Sequence, residues 1–429
     1  MNEDLELRDP IHGYIHLTNI EKSLIDTQEF QRLRRIRQLA GAHLTYPGAQ
    51  HSRFEHAIGC CHLAGLVGQR LKSKIVGKKE DINRIIEEIR IAALLHDIGH
   101  GPFSHIFEEV IDVKENKTHE DMTEKIIKET KIADILKTNS YDLKIISKLS
   151  TASCDKKPQY LNDVIGGGLS VDTMDYLLRD SHFTGVEYGK VDVHRVIDSM
   201  EIINDKLALD KAALYAFEAL AIGRYEMFRA VYFHRSVRAG EVMLIKAMQL
   251  ADKELNLTKI NQLDEYMKLT DEIILNNLIN LDAQGKPHLK LAKSLAIDYT
   301  NRKLIKCVYE KVGQGNDRII KNIFTQKKIR EEITNELANI ADVDYDSIYL
   351  DVSATPSVPY TSKRQNLTSL TLVSNSSIGK TYEIKPISEL PLLKEISGFM
   401  DIIRIYTDEQ HREKVEKAVD KLFKNKDFN

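Results

Sequence analysis

Leu95-His96-Asp97-Ile98-Gly99-His100-Gly101-Pro102-Phe103-Ser104-His105 packs three histidines and a carboxylate against a glycine-rich bend. It follows Ile91 to Leu95, which has the composition of a buried helix. A charge and an imidazole at the end of such a helix cost several kcal/mol unless they are paired or coordinated. Adjacent imidazole and carboxylate suit a divalent ion such as Mg, Mn, Fe or Zn. A lone His-Asp pair means little, but this one has company. Arg53-Phe54-Glu55-His56 stands before it, Thr118-His119-Glu120 after it, and Val171-Asp172-Thr173-Met174-Asp175-Tyr176 further on. Seven of the fifteen histidines fall between His51 and His119. His56 and Asp172 are each expected to open a helix, the second behind the flexible Gly166-Gly167-Gly168. With His96 and Asp97 they make a ligand set that leaves positions for water and substrate.

His100, one turn after His96, is expected to share its face. His105 and His119 add two more protonatable groups. Together they suggest a cationic cradle for phosphate oxygens. One imidazole would act as general acid, a role worth roughly 10²–10⁴-fold in rate.

Working outward, apolar spacing predicts helices over Glu21 to Gln38, Phe54 to Ile75 and Asp81 to Ile98, the last ending at Gly99. Thr118 is a plausible N-cap for another. Lys211 to Glu254 is the longest helical stretch, and Ile202 to Leu209 resembles a hairpin turning at Asn204-Asp205. The character changes after about residue 335, where Asp346 to Val352, Ser369 to Val373, Thr381 to Ile384 and Ile402 to Tyr406 are strand candidates. A polar helix, Asp408 to Phe423, closes the chain. The expected fold is mainly α, with a helical domain over residues 1–330 and a smaller α+β region over 331–429. Ser374 to Thr381 nearly matches a phosphate-binding loop, but Ser374 replaces the first glycine and a strand follows instead of a helix. It is expected to be a hairpin loop.

A net charge of −3 and a pI near 6.6 argue against a general nucleic-acid coat. No apolar run approaches the ~20 residues of a membrane span. The acidic start, Met1-Asn2-Glu3-Asp4, is unlike a signal peptide. Cys60, Cys61, Cys154 and Cys307 are too few and scattered for a disulfide framework, so reduced thiols and a cytoplasmic location are expected.

Several ordered motifs resemble those of the HD-domain deoxynucleoside triphosphate triphosphohydrolases. They are Asp9-Pro10-Ile11-His12-Gly13, Phe30-Gln31-Arg32-Leu33-Arg34, Tyr46-Pro47-Gly48-Ala49 and the His96-Asp97 run, with a weaker continuation to His234. The resemblance implies an HD-domain helical core and metal ligands at His56, His96, Asp97 and Asp172. It implies phosphate-binding and catalytic histidines at His100, His105 and His119, with Glu108 backing a catalytic histidine. Arg53 matches the arginine that grips the triphosphate, Tyr176 and Asp180 match nucleoside-binding residues, and Gln38 and Leu39 match residues packed on the sugar. Thr173 replaces a basic residue of the family, a loss that Arg229 or Arg235 would meet. The implied reaction cleaves a deoxynucleoside triphosphate to deoxynucleoside and tripolyphosphate by water attack on the α-phosphorus.

Asp26, Gln31 and Arg34 match residues of an activating nucleotide site formed between subunits. Arginine suits this because its planar fork binds phosphate in two places. A GTP or dNTP activator and a homo-oligomer, a tetramer, are the implied partners. Two other readings stay open. One is an HD phosphohydrolase acting on a nucleoside monophosphate or signalling nucleotide. The other is a nucleotide-sensing or nucleic-acid-binding regulator with weak catalysis, against which the near-neutral charge and complete ligand set weigh.

Overall fold

The computed structural model describes residues 5–423 apart from 76, 116, 259–262, 316–325, 357–359, 362–364, 367–368, 377–378, 387–388 and 397–398. It is mainly helical, with a smaller α+β part towards the C-terminus. Three helices position the His-Asp residues: Arg53–Leu71, Lys79–Leu95 and Val171–Thr184. The first is started by a capping box, in which the Glu55 carboxylate accepts the Ser52 N–H at 3.0 Å. Both other helices pack on it. Ile91, Leu94 and Leu95 face one apolar core, while Ala92, Ala93, Cys60 and Met174 face another. The three helices are therefore sandwiched, and their polar ends converge between the two cores, with Asp172 still partly exposed.

The Lys79–Leu95 helix stops three residues before the expected Ile98, with His96 as its C-cap. Gly99 then brings the chain against the next helix, where a Cβ would lie 2.1 Å from the His119 carbonyl. The bend's backbone is fully engaged. The Thr123 hydroxyl accepts from Gly99 N–H at 3.0 Å and donates to the His96 carbonyl at 3.1 Å, and the Tyr266 hydroxyl donates to the Gly99 carbonyl at 2.6 Å. Because the helix has ended, His100 does not share a helical face with His96. It folds back towards Asp97 instead.

Two expected helices are interrupted. Glu21 to Gln38 divides into Asn19–Ile25, Gln28–Gln31 and a 3₁₀ turn at Arg32–Arg35. The cause is Thr27, whose hydroxyl donates to the Leu24 carbonyl at 2.7 Å and accepts from Phe30 N–H at 3.3 Å. Lys211 to Glu254 divides into Leu214–Met227 and Arg235–Leu255, with a π turn at Phe228–Tyr232 between them. The expected hairpin is present as Met200–Ile203 and Lys206–Asp210, with Asn204 and Asp205 at φ of 49° and 59° as its tight turn requires. The helix His105–Glu115 was not legible in the sequence pattern.

In the C-terminal part, Phe399–Thr407 lies between Lys306–Gly315 and Ile348–Pro356 in an antiparallel sheet. Helices Lys327–Ala341 and Arg412–Phe423 cover it with a small core of their own. Ser369–Ser376 and Gly379–Pro386 form an antiparallel hairpin, which puts Lys380 of the phosphate-loop look-alike in a strand. Ser369–Ser376 also pairs in parallel with Lys206–Asp210.

The loop after the bend is held by Asp271, which is buried at the start of the helix Asp271–Ile279. Its two oxygens accept Phe103 N–H at 2.7 Å and Arg37 N–H at 3.0 Å. Asp271→Ala strands both donors, and a buried unsatisfied N–H costs about 1–3 kcal/mol. Urea denaturation should show at least that loss; an unchanged midpoint would refute the anchoring role.

Candidate metal centre

His56, on the first turn of its helix, is fully buried. Its Nδ1 lies 2.7 Å from Asp175 Oδ2, and its Nε2 lies 3.2 Å from Asp172 and 3.6 Å from Asp97. His96 donates Nδ1–H to the Ala93 carbonyl at 2.7 Å, which turns Nε2 inward, 3.3 Å from Asp97 and 3.8 Å from Asp172. These residues come from three separate stretches, and the fold brings all four expected ligands together.

The residues fit a cation. His96 Nε2 is buried and has no hydrogen-bond partner among the described residues. With Nδ1–H committed to a carbonyl, Nε2 is left facing two carboxylates. That arrangement is repulsive unless a positive charge lies between them. His56 points the same way: burial opposes its protonation, yet Cys60, Asp172 and Asp175 together raise its pKa well above the usual range. Burial also works against ionised Asp97, but Arg53, His96 and His100 hold its carboxyl well below the usual range. Asp172 stays ionised against its burial through His56 and His96.

Arg53 hydrogen-bonds Asp97 through Nη1 and Ser104 through Nε at 2.7 Å. It stands between the metal cluster and a second one. There, Glu108 Oε1 lies 2.6 Å from His119 Nδ1, 3.4 Å from His100 Nδ1 and 3.5 Å from His105 Nδ1. The His100 and His119 rings stack 3.9 Å apart. Their charges are kept different. Burial, Arg53 and His119 push His100 well down, so it is neutral. Burial opposes charge on His119 as well, but Glu108 outweighs it and raises the pKa. His100 Nε2, 3.3 Å from Asp97, joins the two clusters.

The expected nucleoside residues sit in a polar wall nearby. Asp180 is bound by His51 at 2.8 Å and by the Tyr232 hydroxyl at 2.6 Å, and Arg224 Nε donates to the Tyr176 hydroxyl at 3.1 Å. Gln38 joins through its N–H to the His51 carbonyl at 3.1 Å, with Leu39 half-buried beside it. Arg229 and Arg235 are exposed, and Arg229 pairs with Glu226 at 3.5 Å. Arg229 lines a separate cavity of about 420 Å³ with Tyr188, Phe233 and Arg404. Gln31 accepts from Arg34 Nε at 2.9 Å, Arg34 lies 3.4 Å over the Phe54 ring, and Asp26 is exposed at a helix end. Arg32 does not belong to a solvated basic face: it is buried against Tyr266 and donates to the Leu269 carbonyl at 3.0 Å.

Sequence reasoning missed several participants. Cys60, one turn after His56, lies 3.6 Å from its Nε2, and its sulfur and ligand atoms of His56, His96 and Asp172 all lie within 4.8 Å of one another, close enough to hold one ion; the expected ligand Asp97 falls outside that group. Asp175 and Arg179 follow Asp172 on one helix, and their i,i+4 spacing was the available signal. His51, Arg224 and Tyr232 carried no local signal.

Family models match the chain on both sides of the site: HD domain over residues 53–179 and HD associated region over residues 191–427. The chain belongs to the HD-domain family. The family implies a divalent metal and hydrolase chemistry, consistent with the His/Asp cluster. An uncharacterised protein of Bacillus subtilis, YwfO, is 36% identical over 64% of this chain and 66% of its own length. A deoxynucleoside triphosphate triphosphohydrolase SAMHD1 homolog from Dictyostelium discoideum is 32% identical over 71% of this chain and 60% of its own. The chain thus spans about three fifths to two thirds of these relatives. A solved hypothetical protein from Aquifex aeolicus shares the fold with a TM-score of 0.75 and 28% identity, over 97% of this chain and all of that one.

His96→Ala and Asp97→Ala should each abolish tight binding of Mn²⁺ in equilibrium dialysis, whereas His119→Ala should retain it. Wild-type affinity in His96→Ala would sink the assignment.

Proposed function

We propose that this chain is a metal-dependent deoxynucleoside triphosphate hydrolase that releases deoxynucleoside and tripolyphosphate. The observation that carries the reading is the coupling of two clusters, one of metal-ligand type and one of imidazoles on Glu108, with Arg53 between them. A lone metal site serves many hydrolases. An adjoining cationic cradle favours a substrate with several phosphates. The resemblance to enzymes of this class and the Dictyostelium relative's name support the nucleotide.

His56, His96, Asp97 and Asp172 would hold a divalent ion, which would supply Lewis-acid stabilisation and an activated water. Arg53, fixed by Ser104, presents its fork to the phosphates. Water oxygen joins the α-phosphorus and the bond to the 5′ oxygen breaks. His119 protonates that oxygen, and His105 lines the phosphate side together with neutral His100. Tyr176, Asp180, Gln38 and Leu39 face the nucleoside. Asp26, Gln31 and Arg34 form the activating-nucleotide contact of a homo-oligomer, where GTP or a dNTP would bind.

Product analysis by anion exchange tests the reaction. Each dNTP, alone and mixed with GTP, should give tripolyphosphate with Mg²⁺ or Mn²⁺, and a requirement for mixtures would reveal the activator. Release of pyrophosphate or orthophosphate instead would refute the proposed bond cleavage.

The acid role has a sign. A general acid works while protonated, so the rate falls as pH rises through the raised pKa of His119. Removing the Glu108 charge lowers that pKa. In Glu108→Gln the alkaline limb of kcat/KM should therefore move to lower pH. An unmoved limb would assign the proton elsewhere.

A further inference from the structure

The Asp9-Pro10-Ile11-His12-Gly13 stretch takes no part in the chemistry above. It turns between the antiparallel strands Leu5–Asp9 and Gly13–Leu17, more than forty residues ahead of the first ligand, His56. Asp9 shapes the turn: its Oδ1 accepts Ile11 N–H and His12 N–H, each at 2.9 Å. Its Oδ2 accepts Arg179 Nη1 at 2.8 Å. His12 Nε2 reaches Asp175 Oδ1 at 2.6 Å, with side chains only 3% and 0% exposed. Arg179 returns to both Asp175 oxygens at 2.9 Å. Asp9, Arg179, Asp175 and His12 thus close a ring between the hairpin and the helix Val171–Thr184.

The remaining partner of Asp175 is His56 Nδ1. Arg179 pairs with both oxygens of the fully buried Asp175, which marks it as the carboxylate of an ion pair. An ionised carboxylate only accepts, so both rings are assigned as donors. His56 Nδ1 is thereby fixed as the donor to Asp175, which directs Nε2 towards Asp172 and Asp97, where a bound cation would take the place of its proton.

We infer that the Asp9–His12 turn is a positioning element of the metal centre: His12 orients Asp175, and Asp175 orients the ligand His56. This rests on the metal-centre reading. An apolar side chain at position 12 would fill the same volume but remove a donor from Asp175 Oδ1. Arg179 would then pull the carboxylate alone, and the acceptor facing His56 would lose its fixed direction. The hairpin is therefore part of the ligand-orienting shell, and displacing it loosens His56 without touching the ion.

Cobalt titration of the full chain, followed by visible absorption, tests this. Loss of an outer partner of a ligating histidine typically costs about 10–100-fold in metal affinity. His12→Ala should show a loss of that size and an altered Co²⁺ spectrum. His12→Gln, whose amide N–H still donates to Asp175, should recover most of the affinity; it also serves if His12→Ala does not fold. Ile15→Val loosens the packing of the same hairpin without contacting Asp175 and should bind Co²⁺ as the wild type does. Unchanged affinity and spectrum in both His12 variants would overturn the inference while leaving the metal centre intact. Equal losses in Ile15→Val would reduce it to hairpin packing. A wild-type chain that binds no Co²⁺ would overturn the metal centre and this inference together.

Discussion

Asp175 is a carboxylate with no exposure, and the centre is arranged around keeping it charged. An unpaired ion at that depth is prohibitive, so its oxygens must be saturated with donors at close range. Four N–H groups provide this, from His12, His56 and twice from Arg179. The helix carrying His56 must approach closely, and Gly59 permits it. A Cβ there would lie 1.9 Å from Asp175 Oδ1. The demands of one buried charge therefore fix the hairpin turn, a glycine on the facing helix and the direction of the His56 ring.

The same logic separates the two clusters. Arg53 lies beside Asp97 and lowers the pKa of both Asp97 and His100. Asp97 is held in its charged form, while His100 is pushed further towards its neutral form. One imidazole further away, Glu108 outweighs burial and raises the pKa of His119. Two stacked rings 3.9 Å apart are thus pushed in opposite directions. Without that difference, two imidazolium ions would repel at close contact. With it, one ring accepts or remains inert while the other is ready to donate.

Much of this was legible because the ligands lie on local patterns. His96-Asp97 follows an apolar helix, His56 follows an N-cap, and Asp172 opens a helix behind glycines. Each is a local signal of a helix end, where a polar side chain can reach inward. The boundaries were less legible. Thr27 ends a helix by bonding its own backbone, and an apolar period cannot register that competition. Nor does periodicity register the π turn at Phe228–Tyr232, which inserts a residue without changing composition. His12, His51 and Asp271 act through contacts across 163, 129 and 168 positions of sequence, so only the fold can reveal their partners.

The loop between the clusters shows why such distant anchors are needed. Phe103 and Ser104 both adopt left-handed backbone, with φ of 56° and 57°. For residues with a Cβ this costs roughly 1–2 kcal/mol each. Such a pair persists only when its surroundings over-determine it. Asp271 takes the Phe103 N–H, and the Ser104 hydroxyl both accepts from Arg53 and donates to the Arg37 carbonyl at 2.9 Å. The strained geometry aims that hydroxyl at Arg53, and this contact turns the guanidinium so that Nη1 meets Asp97. If the loop relaxed to ordinary helical or extended backbone, Ser104 would leave Arg53 and the arginine would lose its fixed direction. The strain is thus retained because it orients Arg53, which lies beside Asp97 and acts on His100.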